Sequence, residues 1–346
     1  MADPFPEAGL TGTPLRDLGL QIEGTRLEPV LAEFTRELER VGLAGLKPDF
    51  YLATEWGVPF PSKSIAIPFY LARPDLTALH ADRTGLVEGA GRADILRYLR
   101  HEMGHVVNYA YRLYERPDWA AAFGPFDAPY PEEYTPRPFS TKFVRHLPGW
   151  YAQKHPDEDW AETFAVWMTP GRDWRREYAG WPAALAKLEY CDRVVRDVAG
   201  TPPQPFVVEA EGEDEEWDEF AVSLDDYYGE DAELTDLPGL DMALRAAFDD
   251  AAPDPDLDGD GVPDQKPASG LVRRLTRELV TNVFRWTGHF PERTLPLLRL
   301  IARRADELGQ VYDRRREPAA VVGLTALVTA LAMTHVHRGE YFPGEG

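Results

Sequence analysis

His101-Glu102-Met103-Gly104-His105 lies at the middle of DILRYLRHEMGHVVNYAYRL (94–113), a run with one glycine and no proline. Ile95, Leu99, Met103, Val106, Ala110 and Leu113 recur at three- and four-residue steps, an apolar stripe that predicts a core-facing helix. The two histidines stand one helical turn apart, so both imidazoles leave the same side and can grip one cation. Glu102 follows the first of them, placed to take a proton without being a ligand itself. This is the H-E-x-x-H arrangement of zinc peptidases. A lone histidine there would read as an ordinary polar residue; the pair with its glutamate favours a metal.

Catalytic zinc takes three protein ligands and keeps one position open. A third histidine six residues after the motif is absent, since Asn108 and Tyr111 occupy the positions where a longer histidine motif would continue. The remaining usual source is a carboxylate on a second helix. PDEDWAETFAVW (156–167) opens with proline and acids, as a helix N-terminus does. Glu158 and Glu162 share a face of that helix, and Trp160, Phe164 and Trp167 supply apolar anchors. The economical assignment makes Glu158 the ligand and Glu162 the acceptor that holds a ligating imidazole by its other nitrogen. Glu162 or Asp159 as the ligand is the open alternative, and Asp159 is also a candidate support for the histidines. An acidic first turn answering the helix dipole accounts for Asp157 and Asp159 without a metal.

HEMGH followed some fifty residues later by HPDEDWAETFAVW resembles a bacterial zinc-binding metallopeptidase family of the gluzincin, HExxH…E type. The wording around Glu158 is also similar to the lethal-factor-type peptidases, whose ligand glutamate opens an E-x-x-A-E-x-F string. The resemblance covers about residues 50–195. It implies a zincin-like core, His101, His105 and Glu158 as Zn2+ ligands, and Glu102 as general base in peptide-bond hydrolysis. It further implies an oxyanion-donating tyrosine seven positions before the ligand glutamate, which is Tyr151 here. A packing aromatic is the alternative role for Tyr151. His146 and His155 are nearby spares, and His155, directly before the ligand helix, reads as a cap. No cysteine-rich zinc ribbon precedes the motif.

Upstream, DFYLAT (49–54) and SIAIPFYL (64–71) read as strands by their β-branched and aromatic content, with Pro68 marking an edge or a break. An edge strand beside the motif helix would suit an extended peptide or protein substrate added as a further strand. The expected fold class is α+β. A zincin-like metallopeptidase domain at 1–200 precedes an acidic linker at 201–268 and a C-terminal helical bundle at 269–346.

The 346-residue chain is long enough for more than one unit. Its single cysteine, Cys191, excludes internal disulfides and cysteine-based zinc clusters. The start, MADPFPEAGL, has neither a basic nor an apolar signal region, and the longest apolar run, 319–333, reads as too short to cross a bilayer. The expectation is a cytoplasmic protein without a membrane partner. The net charge of −22 is concentrated. Residues 209–264 hold 22 acids and one base, leaving 37 acids against 36 bases of the totals 59 and 37. Such a segment argues against nucleic acid as a partner.

Within it, Asp256, Asp258, Asp260 and Asp264 alternate with glycines in DLDGDGVPD. The loop resembles the calcium loops of thrombospondin type 3 and EF-hand-like proteins, which makes Ca2+ a second candidate ion. Pro267 stands where a bidentate glutamate would close an EF-hand, and a solvated acidic turn is the alternative. After residue 270 three arginine-rich helical segments follow, whose arginines either meet the acidic stretch or line solvated helix faces. Zinc-dependent peptide hydrolysis is the leading functional expectation. The rivals are a zincin-folded scaffold that cleaves nothing and a calcium-responsive interaction protein.

Overall fold

The computed structural model describes residues 12–131, 133–204, 220–229, 234–251 and 264–342. They form an α+β fold in which helices predominate over two small sheets. Two compact units divide the chain, Met1–His80 with Val87–Gly229 and Ala81–Leu86 with Glu230–Gly346. The boundaries expected at 200 and 268 therefore move. Residues 220–229 join the first unit, where Leu224 is buried, and 234–251 join the second, where Leu240 and Leu244 are buried. The stretch 205–219, which carries most of the linker-like acidic run, lies outside the described residues.

In the first unit, α1 (Leu27–Arg40) precedes β1 (Asp49–Ala53), β2 (Ser64–Pro68) and α2 (Pro74–Thr84), of which the part up to His80 belongs to this unit. Then follow α3 (Arg92–Ala110), α4 (Pro117–Phe123), α5 (Pro156–Met168), α6 (Trp174–Glu177), α7 (Pro182–Val198) and the short α8 (Leu224–Tyr228). Prolines open α4, α5 and α7, where a missing N–H costs nothing and the fixed φ suits a first turn. β1 and β2 pair in parallel, Tyr51 opposite Ala66. β2 ends at Pro68 as its proline predicts, and Ile65 and Ile67 are fully buried. The expectation of an open edge needs correcting at Ala66, whose N–H donates to the Gly57 carbonyl at 2.8 Å. That donor is not available to an added substrate strand.

Helix α3 runs through the core. Leu99, Met103, Val106 and Ala110 are completely buried, and each large apolar side chain so placed contributes roughly 1.5–3 kcal/mol. Arg100 ties α3 to α1 by a two-pronged pair with the buried Glu37, both bonds 2.8 Å. Helix α5 lies against α3 at unusually close range. A Cβ on Gly104 would stand 2.6 Å from the Ala161 Cα, and the Trp160 indole donates to the Gly104 carbonyl at 2.7 Å. Gly104 thus lets two backbones meet where any side chain would hold them apart.

In the second unit, α9 (Leu240–Ala247) leads to β3 (Asp249–Asp250) and β4 (Gln265–Pro267). Three long helices follow: α10 (Ala268–Thr287), α11 (Pro291–Glu307) and, after β5 (Gln310–Asp313), α12 (Glu317–Arg338). The sheet was not anticipated. Gly309, at φ 64°, ends α11 and turns the chain into β5, which pairs antiparallel with both β3 and β4. Asp241 of the acidic stretch meets an arginine of the later helices, Arg304, at 2.6 Å, whereas Asp250 pairs with Arg245, the base of the stretch itself, at 2.7 Å. Asp264 is buried and its carboxylate pairs with Arg315, so it is committed to a cation of the chain itself. Asp256, Asp258 and Asp260 lie outside the described residues.

One expectation about the last helix changes. The stretch Arg314–Arg338 is continuous and, by length and composition, apolar enough to cross a membrane, with a mean hydropathy of 1.9 in its most apolar window. Gly323 and the threonines at 325, 329 and 334 do not interrupt it, because Thr325 and Thr334 return their hydroxyls to carbonyls four residues back. Leu324, Val328, Leu331 and Ala332 form its buried face.

Candidate metal centre

The motif histidines occupy the side of α3 that faces α5, and both are buried. Their Nε2 atoms are 3.3 Å apart. Glu158 Oε2, from the first turn of α5, lies 3.0 Å from His101 Nε2 and 3.4 Å from His105 Nε2. Three ligand-type atoms from two helices therefore converge on one point, and the group can hold a metal ion. Glu162 and Asp159 do not supply that third atom.

Both imidazoles are held from behind. Glu162 Oε1 lies 3.0 Å from His101 Nδ1, and the same carboxylate accepts the backbone N–H groups of His146 and Leu147 at 3.0 and 2.9 Å. Asp157 Oδ2 lies 2.9 Å from His105 Nδ1. It is fixed in turn by the Tyr109 hydroxyl at 2.6 Å and by the Asn108 amide, which donates to Oδ1 at 2.7 Å. Asp157, whose place in an acidic first turn the helix dipole alone would explain, is thus also the partner of a motif histidine. The contacts run antiparallel, so stepping four residues forward from His101 to His105 steps back along α5 from Glu162 to Asp157, a relative direction that the sequence does not encode. Asp159 requires a correction. Its carboxylate leaves the other side of α5 and pairs with Lys187, so it supports neither histidine. Burial lifts its pKa to about 7 against the pull of that lysine.

These anchors fix the tautomers. With each Nδ1–H donating to a carboxylate, each Nε2 presents a lone pair, and Glu158 adds an oxygen lone pair to the same spot. Three acceptors at such distances need a cation among them. Protonation answers that need in the metal-free protein. Burial disfavours charge on His101, yet Glu158 and Glu162 outweigh it and lift its pKa to about 9. His105 is lifted well above its ordinary value in the same way, by Asp157 and Glu158 against burial. Two imidazoles and one carboxylate are a donor set suited to a catalytic transition metal, whereas calcium and magnesium favour oxygen alone.

Glu102 is buried beside the cluster. Burial raises its pKa, while the neighbouring His101 and His105 pull the other way. Tyr151 approaches from a 3-10 turn, Pro148–Gln153, with ring centroids of Tyr151 and His101 5.5 Å apart. Gly149 and Trp150 both adopt the left-handed conformation there, at φ 78° and 65°. For tryptophan this costs on the order of 1–3 kcal/mol. The buried indole is clamped by the Arg145 guanidinium, 3.8 Å from its centroid, and by the Phe139 ring at 5.2 Å. A second tyrosine, not foreseen, lies closer still: the Tyr130 hydroxyl donates to Glu158 Oε1 at 2.6 Å and is 3.5 Å from the Tyr151 hydroxyl. Tyr130 sits in a proline-rich loop with no periodicity to betray its direction.

The spare histidines have other work. His155 caps α5, its Nδ1 accepting from the Asp157 N–H at 3.2 Å. His146 is lowered to about 4 by burial and places Nε2 2.9 Å from the Arg97 carbonyl. No known family profile, curated protein or solved structure matches this chain.

Proposed function

We propose that this chain is a zinc-dependent metallopeptidase of the gluzincin type, with β1, β2, α3 and α5 as a zincin-like core. The observation that carries the reading is the convergence of His101 Nε2, His105 Nε2 and Glu158 Oε2 within 3.0–3.4 Å of one another. Zinc bound there would polarise a scissile carbonyl and activate a water. Glu162 and Asp157 hold the imidazoles so that the inner lone pairs stay available. Glu102 accepts the proton of the attacking water and returns it to the leaving amine, and its raised proton affinity suits both transfers. Tyr151 offers a hydroxyl donor to the charge that develops on the carbonyl oxygen, while the hydroxyl proton of Tyr130 is committed to Glu158. The resemblance of HEMGH and HPDEDWAETF to gluzincin peptidases supports the same roles, and the intact Glu102 favours an enzyme over a metal-bearing scaffold.

Metal analysis with proteolysis tests this. Wild type and Glu102→Gln should each carry about one zinc per chain, and only wild type should degrade a panel of denatured proteins. A wild type that takes up no zinc, or a Glu102→Gln variant that cleaves as fast, contradicts the reading.

A further inference from the structure

We infer that Lys154 anchors a carboxylate of the substrate beside the metal centre, so that the favoured substrates are peptides with a carboxylate close to the scissile bond. This rests on the peptidase reading above. The Lys154 ammonium lies 4.4 Å from the centroid of the Tyr130 ring and 5.4 Å from that of Tyr151. Tyr130 donates to Glu158, and Tyr151 flanks His101, so the ammonium stands one aromatic ring away from the metal-ligand cluster. Lys63, Lys187 and Lys266 are matched to Asp49, Asp159 and Glu317. Lys47, Lys142 and Lys154 have no such partner among the described residues, and of these Lys154 is the one held by two aromatic faces that border the cluster.

The surrounding charge sharpens the inference. Glu102, Asp157, Glu158 and Glu162 are all buried at the centre. Bound zinc would offset part of that charge, and Lys154 is the further cation, in contact with both tyrosines that border the cluster. Of the two, Tyr151 is the one whose hydroxyl would face the scissile carbonyl, and Tyr130 holds Glu158 beside it. A carboxylate held by Lys154 would therefore lie about one residue from the bond that is cut. The α-carboxylate at a peptide's C-terminus and the side chain of an aspartate or glutamate share that chemistry.

The test reads binding, in zinc-loaded Glu102→Gln, so that turnover does not intrude. The ligands are N-acetylated trialanine as the free acid, the same peptide as its C-terminal amide, and an amidated version carrying one glutamate. The free acid, the glutamate peptide, or both should bind on the order of tenfold more tightly than the neutral amide, as expected for one charge-assisted contact. Which of them does so identifies the carboxylate. Adding Lys154→Met should erase the preference and Lys154→Arg should keep it, with zinc content equal in all variants. Equal affinity for all three peptides, or a preference that survives Lys154→Met, overturns the inference. Cleavage of the same peptides by zinc-loaded wild type is scored separately. A carboxylate preference in a protein whose wild type also leaves the denatured-protein panel intact upholds the subsite and sinks the peptidase reading, and cleavage of that panel without a preference does the reverse.

Discussion

Glu162 and Asp157 orient the two imidazoles, and neither carboxylate belongs to the converging triad itself. Removing either should leave the fold intact but loosen the metal. Glu162→Gln and Asp157→Asn are each expected to lower zinc affinity roughly 10–100-fold, read by competition with a chelator. An unchanged affinity in both would mean that the carboxylates do not set the imidazoles. Tyr151 separates from them in its signature. Tyr151→Phe should lower kcat by about 10²-fold with zinc content unchanged, as for loss of one oxyanion donor. Loss of zinc instead would make it a structural aromatic. At this scale the sequence was legible wherever a helical period linked the residues: His101, Glu102, His105, Glu158 and Glu162 follow from steps of four. Tyr130 and Lys154 come from aperiodic segments, whose side-chain directions depend on tertiary packing.

The pairing of α3 with α5 is what brings those residues together, and Gly104 permits it. Alanine in a helix is worth about 1 kcal/mol over glycine, but a methyl 2.6 Å from the Ala161 Cα forces the helices apart at about 1–3 kcal/mol. Gly104→Ala should therefore destabilise on balance, and it should weaken zinc binding because Glu158 moves with α5. Thermal unfolding and chelator competition measure the two effects, and a more stable variant with full affinity would refute the close-approach argument. The other face of α5 holds the buried Asp159–Lys187 pair. Lys187→Met should destabilise mainly above pH 7, where Asp159 is charged, by up to about 3–5 kcal/mol, and little at pH 6, where the carboxyl is protonated; adding Asp159→Asn should recover most of the loss in urea unfolding at pH 8. The helices were foreseeable from apolar spacing and from the prolines that open them. The second unit's small sheet was not, since QVYD at 310–313 continues the apolar pattern of α11 and only the left-handed Gly309 breaks the helix.

Both units carry histidines that burial keeps neutral, His80 and His146 in the first and His289 in the second, with a consequence for the whole molecule in acid. His80, stacked on Tyr70 at 3.6 Å, is lowered by burial to about 4, and His289, bonded to Thr294 and Tyr341, to about 3. Unfolded histidine titrates near 6.5. Between those values the unfolded chain binds protons at these histidines that the folded chain does not, so their contribution is fully present above about pH 6.5 and is lost as pH falls toward 4, outweighing the opposite proton uptake of the buried Asp159. Urea midpoints should decline across that window, and His80→Phe, which keeps a ring against Tyr70, should flatten the decline. A midpoint that stays level from pH 7 to 4.5 would contradict it. The division into two units was only partly legible: acidic composition drew attention to 209–264, but sparse apolar residues such as Leu224, Leu240 and Leu244 decide which core each part joins.

The central claim is that His101, His105 and Glu158 hold one zinc ion. Anomalous diffraction at the zinc edge, from crystals of the zinc-loaded protein, tests it most directly. One peak per chain is expected, bonded to both Nε2 atoms and a Glu158 oxygen; a zinc-loaded protein whose peak lies elsewhere, or bonds to neither histidine, would contradict the account.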